Sequence, residues 1–166
     1  MLIILEGCDG VGKTTLANML KSTLDDAEII HCNVDTPNTY DFFKRIVQAA
    51  GKKNIIADRF CYGQFVYEEE EDRPLTYMNE DSGDVYDNPY HGLHKLESYM
   101  IDLPYSVKLV YVYCDPETAA QRIIERDGDD FEEVGGITRL DVVKAVMQGY
   151  ENLWTKTLLR PIYYKT

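Results

Sequence analysis

The chain opens on the sequence Ile3-Ile4-Leu5-Glu6-Gly7-Cys8-Asp9-Gly10-Val11-Gly12-Lys13-Thr14-Thr15-Leu16. A glycine, four further residues and then Gly-Lys-Thr match the phosphate-binding pattern G-x-x-x-x-G-K-[ST]. The apolar run before the pattern predicts a buried parallel strand over residues 2–6, and the apolar spacing after it predicts a helix over about 13–24. A strand, a glycine-rich loop and a helix N-terminus in this order predict a cradle of backbone N–H groups for a polyphosphate.

The residue types in this loop predict a nucleotide site that also holds a metal ion. Lys13 is expected to reach the β- and γ-phosphates, and the Thr14 hydroxyl is expected to ligate Mg²⁺. A glycine-rich turn with an accidental lysine is the alternative, which the flanking strand and helix disfavour. The expected nucleotide-binding residues are Gly7, Asp9, Gly10, Val11, Gly12, Lys13, Thr14 and Thr15.

Length and composition predict one globular domain over residues 1–166. The chain has 166 residues, of which 45% are hydrophobic, enough for one substantial core. No apolar run approaches the roughly 18 residues of a membrane-spanning helix, and the N-terminus lacks the basic start of a signal peptide, so we expect no membrane partner and a cytoplasmic location. The net charge of −12, from 29 acidic and 17 basic residues, argues against a nucleic-acid partner.

Much of the negative charge falls in one acidic insert over about residues 68–90. Between residues 68 and 87 the chain has nine acids and one base, Arg73. The simplest interpretation is a solvated loop. The alternative is that the insert folds over an acceptor pocket, with Tyr77, Tyr86 and Tyr90 available to cover a base. The four cysteines contain no C-x-x-C pair, so small buried thiols are expected rather than a metal site.

Apolar strands and amphipathic helices alternate along the chain. Further strands are predicted at 28–32, 54–57, 107–113 and, as an edge strand, 161–164, and further helices at 40–50, 60–69, 93–101, 115–126 and 138–158. Five strands separated by helices predict an α/β fold of the P-loop nucleotide kinase type, with a doubly wound parallel sheet and flanking helices. In such a sheet the ligands bind at the carboxyl ends of the strands.

The pair Asp58-Arg59 ends the third predicted strand. An acid at this position can hold Mg²⁺ together with Thr14, and the adjacent arginine can form two hydrogen bonds to a phosphoryl group. The alternative is a salt bridge at the strand end. Because a phosphate loop is present, we favour the functional interpretation.

Two further basic clusters are candidates for phosphate contacts. Arg122 and Arg126 are four residues apart on one helix face, beside a glycine-rich segment that predicts a lid over about 127–137. Two ordinary surface arginines are the alternative. On the second helix, Arg45 near Phe42 either reaches an acceptor or lies on a solvated face.

The loop sequence resembles the opening of thymidylate kinases, which also have an acid within the loop and paired threonines after the lysine. Asp58-Arg59-Phe60 resembles that family's aspartate-arginine-aromatic motif, and Tyr67 falls where the family has an alanine-tyrosine pair. Residues 110–126 resemble its fourth strand and the helix beside its lid, and Tyr150 in the last long helix also fits. The resemblance covers most of the chain.

This resemblance implies ATP with Mg²⁺ as the donor, a pyrimidine deoxynucleoside monophosphate, first of all dTMP, as the acceptor, and a homodimer. It implies that Lys13 and Arg122 stabilise the moving phosphoryl group, that Arg59 holds the acceptor phosphate and that Asp58 organises Mg²⁺. With the residue-based expectations added, the catalytic set is Asp9, Lys13, Arg59, Arg122 and Arg126. The acceptor-binding set is Asp9, Phe42, Arg45, Arg59 and Tyr67.

The chain also departs from the thymidylate kinase pattern. Only about twenty residues join the second and third strands, so the family's helix that carries a phenylalanine and an arginine for thymine is absent. Glu68 replaces the glutamine after the tyrosine, and the acidic insert has no obvious counterpart. Two alternatives therefore stay open: a deoxynucleoside kinase and, from another class, a nucleotide-binding switch with slow hydrolysis. An arginine-bearing lid favours transfer to a bound acceptor over the switch.

Overall fold

The computed structural model describes residues 1–33, 35–37, 39–67, 77–78, 85–86, 89–128 and 137–166, with the backbone alone at 77–78, 85–86 and 89. The strands in these ranges are β1 (Leu2–Glu6), β2 (Ala27–His31), β3 (Asn54–Asp58), β4 (Tyr77–Met78), β5 (Val85–Tyr86), β6 (Val107–Tyr113) and β7 (Ile162–Lys165). The helices are α1 (Lys13–Thr23), α2 (Tyr40–Ala49), α3 (Gln64–Tyr67), α4 (Pro89–Ile101), α5 (Pro116–Asp127) and α6 (Arg139–Trp154).

β1 lies at the centre of a five-stranded sheet in which every pair of neighbours is parallel. The strand order is β2-β3-β1-β6-β7, and Leu5 of β1 lies beside Asp58 of β3 and Val110 of β6. All five residues of β1 are buried, as expected for a strand that helices cover on both faces. The predicted doubly wound, five-stranded parallel sheet is confirmed, and β7 is an edge strand.

Two apolar clusters hold the helices against the two faces of the sheet. The first joins α1 and α5 to the sheet through buried residues that include Leu16, Ala17, Ala119 and Ile123. The second joins α2 and α4 through residues that include Phe43, Val47, Leu93 and Leu96. α6 contributes to both clusters, so the helix that follows the predicted lid is fixed to both layers.

Three predicted helices have different bounds in the structure. The helix predicted at 60–69 is confined, in the described residues, to α3; a bend and a turn over 61–63 precede it, and the N–H of Phe60 donates to the Glu6 side chain. α4 begins at Pro89 rather than at 93, since proline fits a first helical turn. α6 ends at Trp154 rather than at 158, and the N–H of Leu158 donates to Glu97.

Most of the predicted acidic insert, and residues 129–136 of the predicted lid, lie outside the described residues. Within the insert, β4 and β5 pair antiparallel, where the sequence predicts a continuous loop. The ring of Tyr90 packs 5.4 Å from that of Phe65 and 4.7 Å from Lys156 Nζ, rather than over a base site. Within the described ranges, none of the helices combines the length and the apolar character that a membrane crossing needs.

Candidate nucleotide-binding site

The loop between β1 and α1 depends on glycines with positive φ angles. φ is +146° at Gly7, +77° at Gly10 and +87° at Gly12. A Cβ atom on Gly7 would lie 2.2 Å from the carbonyl oxygen of Val112, and one on Gly10 would lie 2.3 Å from that of Ala119. Only glycine therefore allows the loop to pack this closely against β6 and α5.

Lys13 is the first residue of α1, and its side chain turns back under the loop. It is 7% exposed, and its Nζ donates hydrogen bonds to the carbonyl oxygens of Gly7 at 2.8 Å and Cys8 at 2.6 Å. Burial and, next, the positive charge of Arg59 lower the pKa of the Lys13 ammonium. The cation is thus held at the floor of the loop by carbonyl oxygens, which anionic phosphate oxygens can replace.

Thr14 and Asp58 place two hard oxygen donors at one point beside the loop. The Thr14 hydroxyl donates to Asp58 Oδ2 at 2.7 Å, and His31 Nδ1 lies 3.1 Å from the same carboxylate oxygen. The Asp58 side chain is nearly buried, whereas His31 is exposed at the end of β2. Hydroxyl and carboxylate oxygens are the ligands that Mg²⁺ prefers, so the donor set fits this ion.

Arg59 reaches the loop from the next position along the chain. Its guanidinium is paired with Asp9 Oδ1 and lies 5.6 Å from the ring centroid of Tyr67. Its backbone is in the left-handed region, with φ +71°, which disfavours a residue with a side chain by about 1–2 kcal/mol. The surrounding structure must therefore hold this conformation.

Glu6 ends β1 directly before the loop and is fully buried. Its Oε1 accepts from the N–H of Phe60 at 2.8 Å, and its Oε2 accepts from the Tyr150 hydroxyl at 2.9 Å. Burial raises the pKa of this carboxyl to about 7, although the two hydrogen bonds and the charges of Lys13 and Arg59 oppose the change.

The two arginines of α5 have different partners. Arg122 Nη1 donates to the carbonyl oxygen of Gly10 at 3.2 Å and to the Thr166 hydroxyl at 3.4 Å. Arg126 donates twice, both times at 2.6 Å, to the carboxylate of the adjacent Asp127. Arg122 is therefore in contact with the phosphate loop, whereas Arg126 is paired on its own helix.

Three neighbouring cavities surround these residues. The loop cavity, of about 540 Å³, is lined by Asp9, Gly10, Gly12, Lys13, Thr14, Thr15, His31, Cys32, Asn33, Asp58, Arg59, Arg122 and Arg126. The side cavity, of about 330 Å³, is lined by Asp9, Cys32, Asn33, Arg59, Phe60, Gly63, Gln64 and Tyr67. The outer cavity, of about 410 Å³, is lined by Gly12, Thr15, Leu16, Met19, Arg122, Tyr164 and Thr166. Asp9 and Arg59 line both the loop cavity and the side cavity.

The structure brings most of the predicted site residues together. The predicted catalytic and metal residues all line the loop cavity, and Tyr67 lines the side cavity. Phe42 and Arg45 line neither of these two cavities: Phe42 packs 5.3 Å from the ring of Phe43, and Arg45 is exposed on α2. Their predicted contact with the acceptor stays a prediction that the geometry does not favour.

Several lining residues were missed by the sequence reasoning. His31, Cys32 and Asn33 follow β2 directly, so the rule that ligands bind at the carboxyl ends of parallel strands identifies their position. Gln64 lies on the short α3, whose start the sequence did not predict. Glu6 lines none of the three cavities, and the sequence motif assigns it no role.

A parallel α/β sheet with a phosphate loop after its central strand and arginines around that loop defines the class of P-loop nucleotide kinases. The AAA domain family model matches residues 1–87, and the chain belongs to this family of P-loop proteins. Its resemblance to thymidylate kinase-like P-loop kinases is confirmed.

A curated relative and two solved structures are similar to the chain over most of its length. Thymidylate kinase of Coprothermobacter proteolyticus is 26% identical over an alignment that covers 92% of this chain and 85% of the relative. The crystal structure of YorR from Bacillus subtilis in complex with phosphorylated GDP matches with a TM-score of 0.72 at 22% identity, covering 99% of this chain and 85% of YorR. Deoxyadenosine kinase from M. mycoides with bound dCTP matches with a TM-score of 0.54 at 19% identity, covering 100% and 89%.

Proposed function

We propose that the chain transfers the terminal phosphoryl group of ATP to a deoxynucleoside monophosphate, and that dTMP, converted to dTDP, is the acceptor. The observation that carries this proposal is the position of Arg59, whose guanidinium lines both the loop cavity and the side cavity. A single guanidinium at the wall between two cavities can contact a donor phosphate and an acceptor phosphate together. The similarity to a curated thymidylate kinase is the reason for naming dTMP first.

The loop cavity suits the phosphates of the donor. Lys13 would neutralise charge on the transferring group, and Arg122, which already contacts Gly10, would approach the same group from α5. P-loop kinases use ATP and Mg²⁺ in general, and Thr14 with Asp58 would hold the ion. Bound Mg²⁺ would neutralise part of the phosphate charge. The outer cavity opens beside Gly12 and Thr15 and suits the nucleoside end of the donor.

The side cavity suits the acceptor. Among the residues that line it, the charged groups are Asp9 and Arg59, which pair with each other. An acceptor phosphate would take the place of Asp9 on the guanidinium, and its oxygen, already anionic, needs no base to deprotonate it before attack. Gln64 Oε1 is buried and accepts no hydrogen bond from any described residue, so it offers an acceptor for an N–H group of a base.

A deoxynucleoside kinase is the second candidate, and Asp9 is the observation that favours it. A nucleoside hydroxyl must lose a proton as it attacks, and among the described residues Asp9 is the one carboxylate that lines the side cavity. In this alternative Asp9 would leave Arg59 and accept that proton. The two candidates therefore assign Asp9 different roles.

The test is a comparison of acceptors with ATP and MgCl₂. The purified chain is incubated with dTMP, thymidine, dCMP, dGMP or dAMP, the products are separated by ion-exchange chromatography, and Lys13→Ala is the control. Formation of dTDP from dTMP supports the proposal, whereas dTMP formed from thymidine supports the second candidate. Release of ADP and phosphate without a phosphorylated acceptor contradicts both. Light scattering on the same preparation tests the homodimer, which stays a prediction, as do the single-domain organisation and the cytoplasmic location.

A further inference from the structure

We propose that Glu6 is a positioning residue for phosphoryl transfer: through Phe60 and Tyr150 it holds the backbone of Arg59 in the conformation that brings the guanidinium to the loop cavity. The expected changes in KM rest on the proposed function. The expected displacement of Arg59 does not, and it can be tested without turnover.

Two hydrogen bonds to β1 hold the backbone on the two sides of Arg59. The Arg59 N–H donates to the carbonyl oxygen of Leu5 at 3.0 Å, and the next N–H, that of Phe60, donates to Glu6 Oε1 at 2.8 Å. Both acceptors belong to β1, so consecutive peptide groups of the turn are tied to the central strand. Arg59 lies between them with φ +71°. A left-handed arginine persists only where its neighbours impose that conformation, and these two hydrogen bonds do so.

Tyr150 on α6 holds the Glu6 carboxylate in place. Its other oxygen accepts from the hydroxyl of Tyr150, which is fully buried on α6 and packs against Tyr111 at 5.4 Å and Trp154 at 5.5 Å, measured between ring centroids. This contact fixes the rotation of the carboxylate, so that Oε1 faces Phe60. The ring of Tyr150 also lies 6.4 Å from that of Tyr67, on which the Arg59 guanidinium lies. α6 therefore supports Arg59 at both its backbone and its side chain.

The hydrogen-bonded pair of Glu6 and Tyr150 lies close to the backbone of Gly63. A Cβ atom on Gly63 would lie 3.2 Å from the Tyr150 hydroxyl and 3.5 Å from Glu6 Oε2. The segment after Arg59 can therefore pass close to the pair because residue 63 has no side chain. Lys13 Nζ donates its hydrogen bonds to the carbonyl oxygens of Gly7 and Cys8 rather than to Glu6. Glu6 thus acts on the position of Arg59 more directly than on that of Lys13.

The chain offers a matched control in a second buried carboxylate–tyrosine pair. Glu97 on α4 is fully buried, its Oε1 accepts from the Tyr62 hydroxyl at 3.1 Å, and its Oε2 accepts from the N–H of Leu158 at 2.8 Å. The chemistry is the same as at Glu6, but none of the three cavities is lined by Glu97. Replacing it tests the loss of a buried carboxylate that accepts from neither the Phe60 N–H nor the Tyr150 hydroxyl.

The kinetic experiment compares Glu6→Leu, Glu6→Gln, Tyr150→Phe and Glu97→Leu, with dTMP and ATP varied separately. Glu6→Leu removes both acceptors, so the KM for dTMP is expected to rise by about tenfold or more while the KM for ATP changes little. Glu6→Gln keeps one oxygen for the Phe60 N–H and should restore most of the affinity. Tyr150→Phe should give a smaller change in the same direction, and Glu97→Leu should leave the KM for dTMP unchanged. In an Arg59→Ala background, Glu6→Leu should add nothing.

Equal changes in both KM values, or the same loss in the Arg59→Ala background, would overturn the inference. If Glu6→Leu does not fold, Tyr150→Phe carries the comparison, with Glu6→Gln as the conservative variant. The structural readout is independent of the substrate: crystal structures of Tyr150→Phe, and of Glu6→Leu where it folds, should show the Arg59 guanidinium displaced from Asp9. An unchanged Arg59 in these variants overturns the inference, whereas a displaced Arg59 in a protein that does not phosphorylate dTMP supports it and refutes the proposed function.

Discussion

The hydroxyl of Thr14 donates to the carboxylate of Asp58 across 2.7 Å, although 44 residues separate the two in sequence. β1 and β3 are adjacent and parallel, so the residue that follows the phosphate loop and the residue that ends β3 meet at the same edge of the sheet. The Thr14 hydroxyl and the Asp58 carboxylate therefore lie together beside the loop cavity, as two oxygen ligands of one Mg²⁺ ion would.

Asp58→Asn should raise the Mg²⁺ concentration needed for half-maximal phosphotransfer by roughly an order of magnitude, because an uncharged amide replaces an anionic ligand. The measurement is a titration of activity with MgCl₂ at fixed nucleotide concentrations. Asp115→Asn is the control, since Asp115 also follows a strand of the sheet but is exposed and pairs with Lys165. The same Mg²⁺ dependence in Asp58→Asn and the wild type would contradict the assignment.

Lys13→Ala should lower kcat by about two to three orders of magnitude while the protein stays folded. The side chain would neutralise charge that develops on the transferring phosphoryl group, and no other lysine lines the loop cavity among the described residues. Steady-state kinetics give the rate, and circular dichroism checks the fold. Lys21→Ala, in the last turn of the same helix, is the control. Undiminished transfer by folded Lys13→Ala would remove the catalytic role of this loop.

Arg59→Ala should raise the KM for the acceptor by a larger factor than it raises the KM for ATP. The reason is that Arg59 lines the side cavity as well as the loop cavity. Arg45→Ala is an informative control. The sequence reasoning placed Arg45 in the acceptor site, whereas the structure places it exposed on α2. Separate titrations with dTMP and ATP test both residues: an acceptor defect in Arg45→Ala rather than in Arg59→Ala would contradict the role of Arg59 and support the predicted role of Arg45.

The sheet and the phosphate loop were predictable because local patterns determine them. The loop motif, the apolar run of β1 and the proline after Asp115 each specify backbone geometry within a few residues. The turn after Arg59 was not predictable in this way. The residues of 60–69 have helical spacing, but the N–H of Phe60 is taken by Glu6, 54 positions earlier in the chain.

The site residues that the sequence predicts correctly are likewise those whose positions local patterns determine. Residues after predicted strand ends, such as Asp58 and Arg59, were found because parallel strands bring their ends together. Phe42 and Arg45 were chosen by residue type on a helix whose orientation the sequence leaves open, and Phe42 packs against Phe43 instead of facing the loop. A buried carboxylate such as Glu6 gives no local signal, since its partners are Phe60, which follows β3, and Tyr150 on α6.

Gly10→Ala should destabilise the protein and weaken ATP binding. The new Cβ atom would lie 2.3 Å from the carbonyl oxygen of Ala119 at a residue with φ +77°, so backbone atoms would have to move. Gly128→Ala is the matched control, with φ +82° and no atom of the described residues within 4 Å of the new Cβ. It should lose only about 1–3 kcal/mol for the backbone conformation alone. Urea unfolding measures both variants, and equal losses would contradict the close packing of the loop on α5.

The stability of the protein should depend on the ionisation of Glu6. Its pKa is raised to about 7 in the folded state, from an ordinary value of 4.5, chiefly by burial. Between these two pH values the folded protein binds a proton that the unfolded chain has lost. The contribution of Glu6 to the free energy of unfolding is therefore greatest below pH 4.5 and declines as the pH rises to about 7. The decline amounts to roughly 3 kcal/mol.

Glu6→Gln removes this ionisable group with little change in volume. The difference in the free energy of unfolding between the wild type and Glu6→Gln should therefore shift by roughly 3 kcal/mol in favour of the variant between pH 4.5 and 7.5. Urea titrations at several pH values give this difference, and the wild-type curve alone would not, because other groups also titrate. Glu125→Gln, on the exposed face of α5, is the control for the loss of one surface carboxylate. A difference that stays constant with pH would show that Glu6 binds protons equally in the folded and unfolded states, which contradicts a pKa raised by burial.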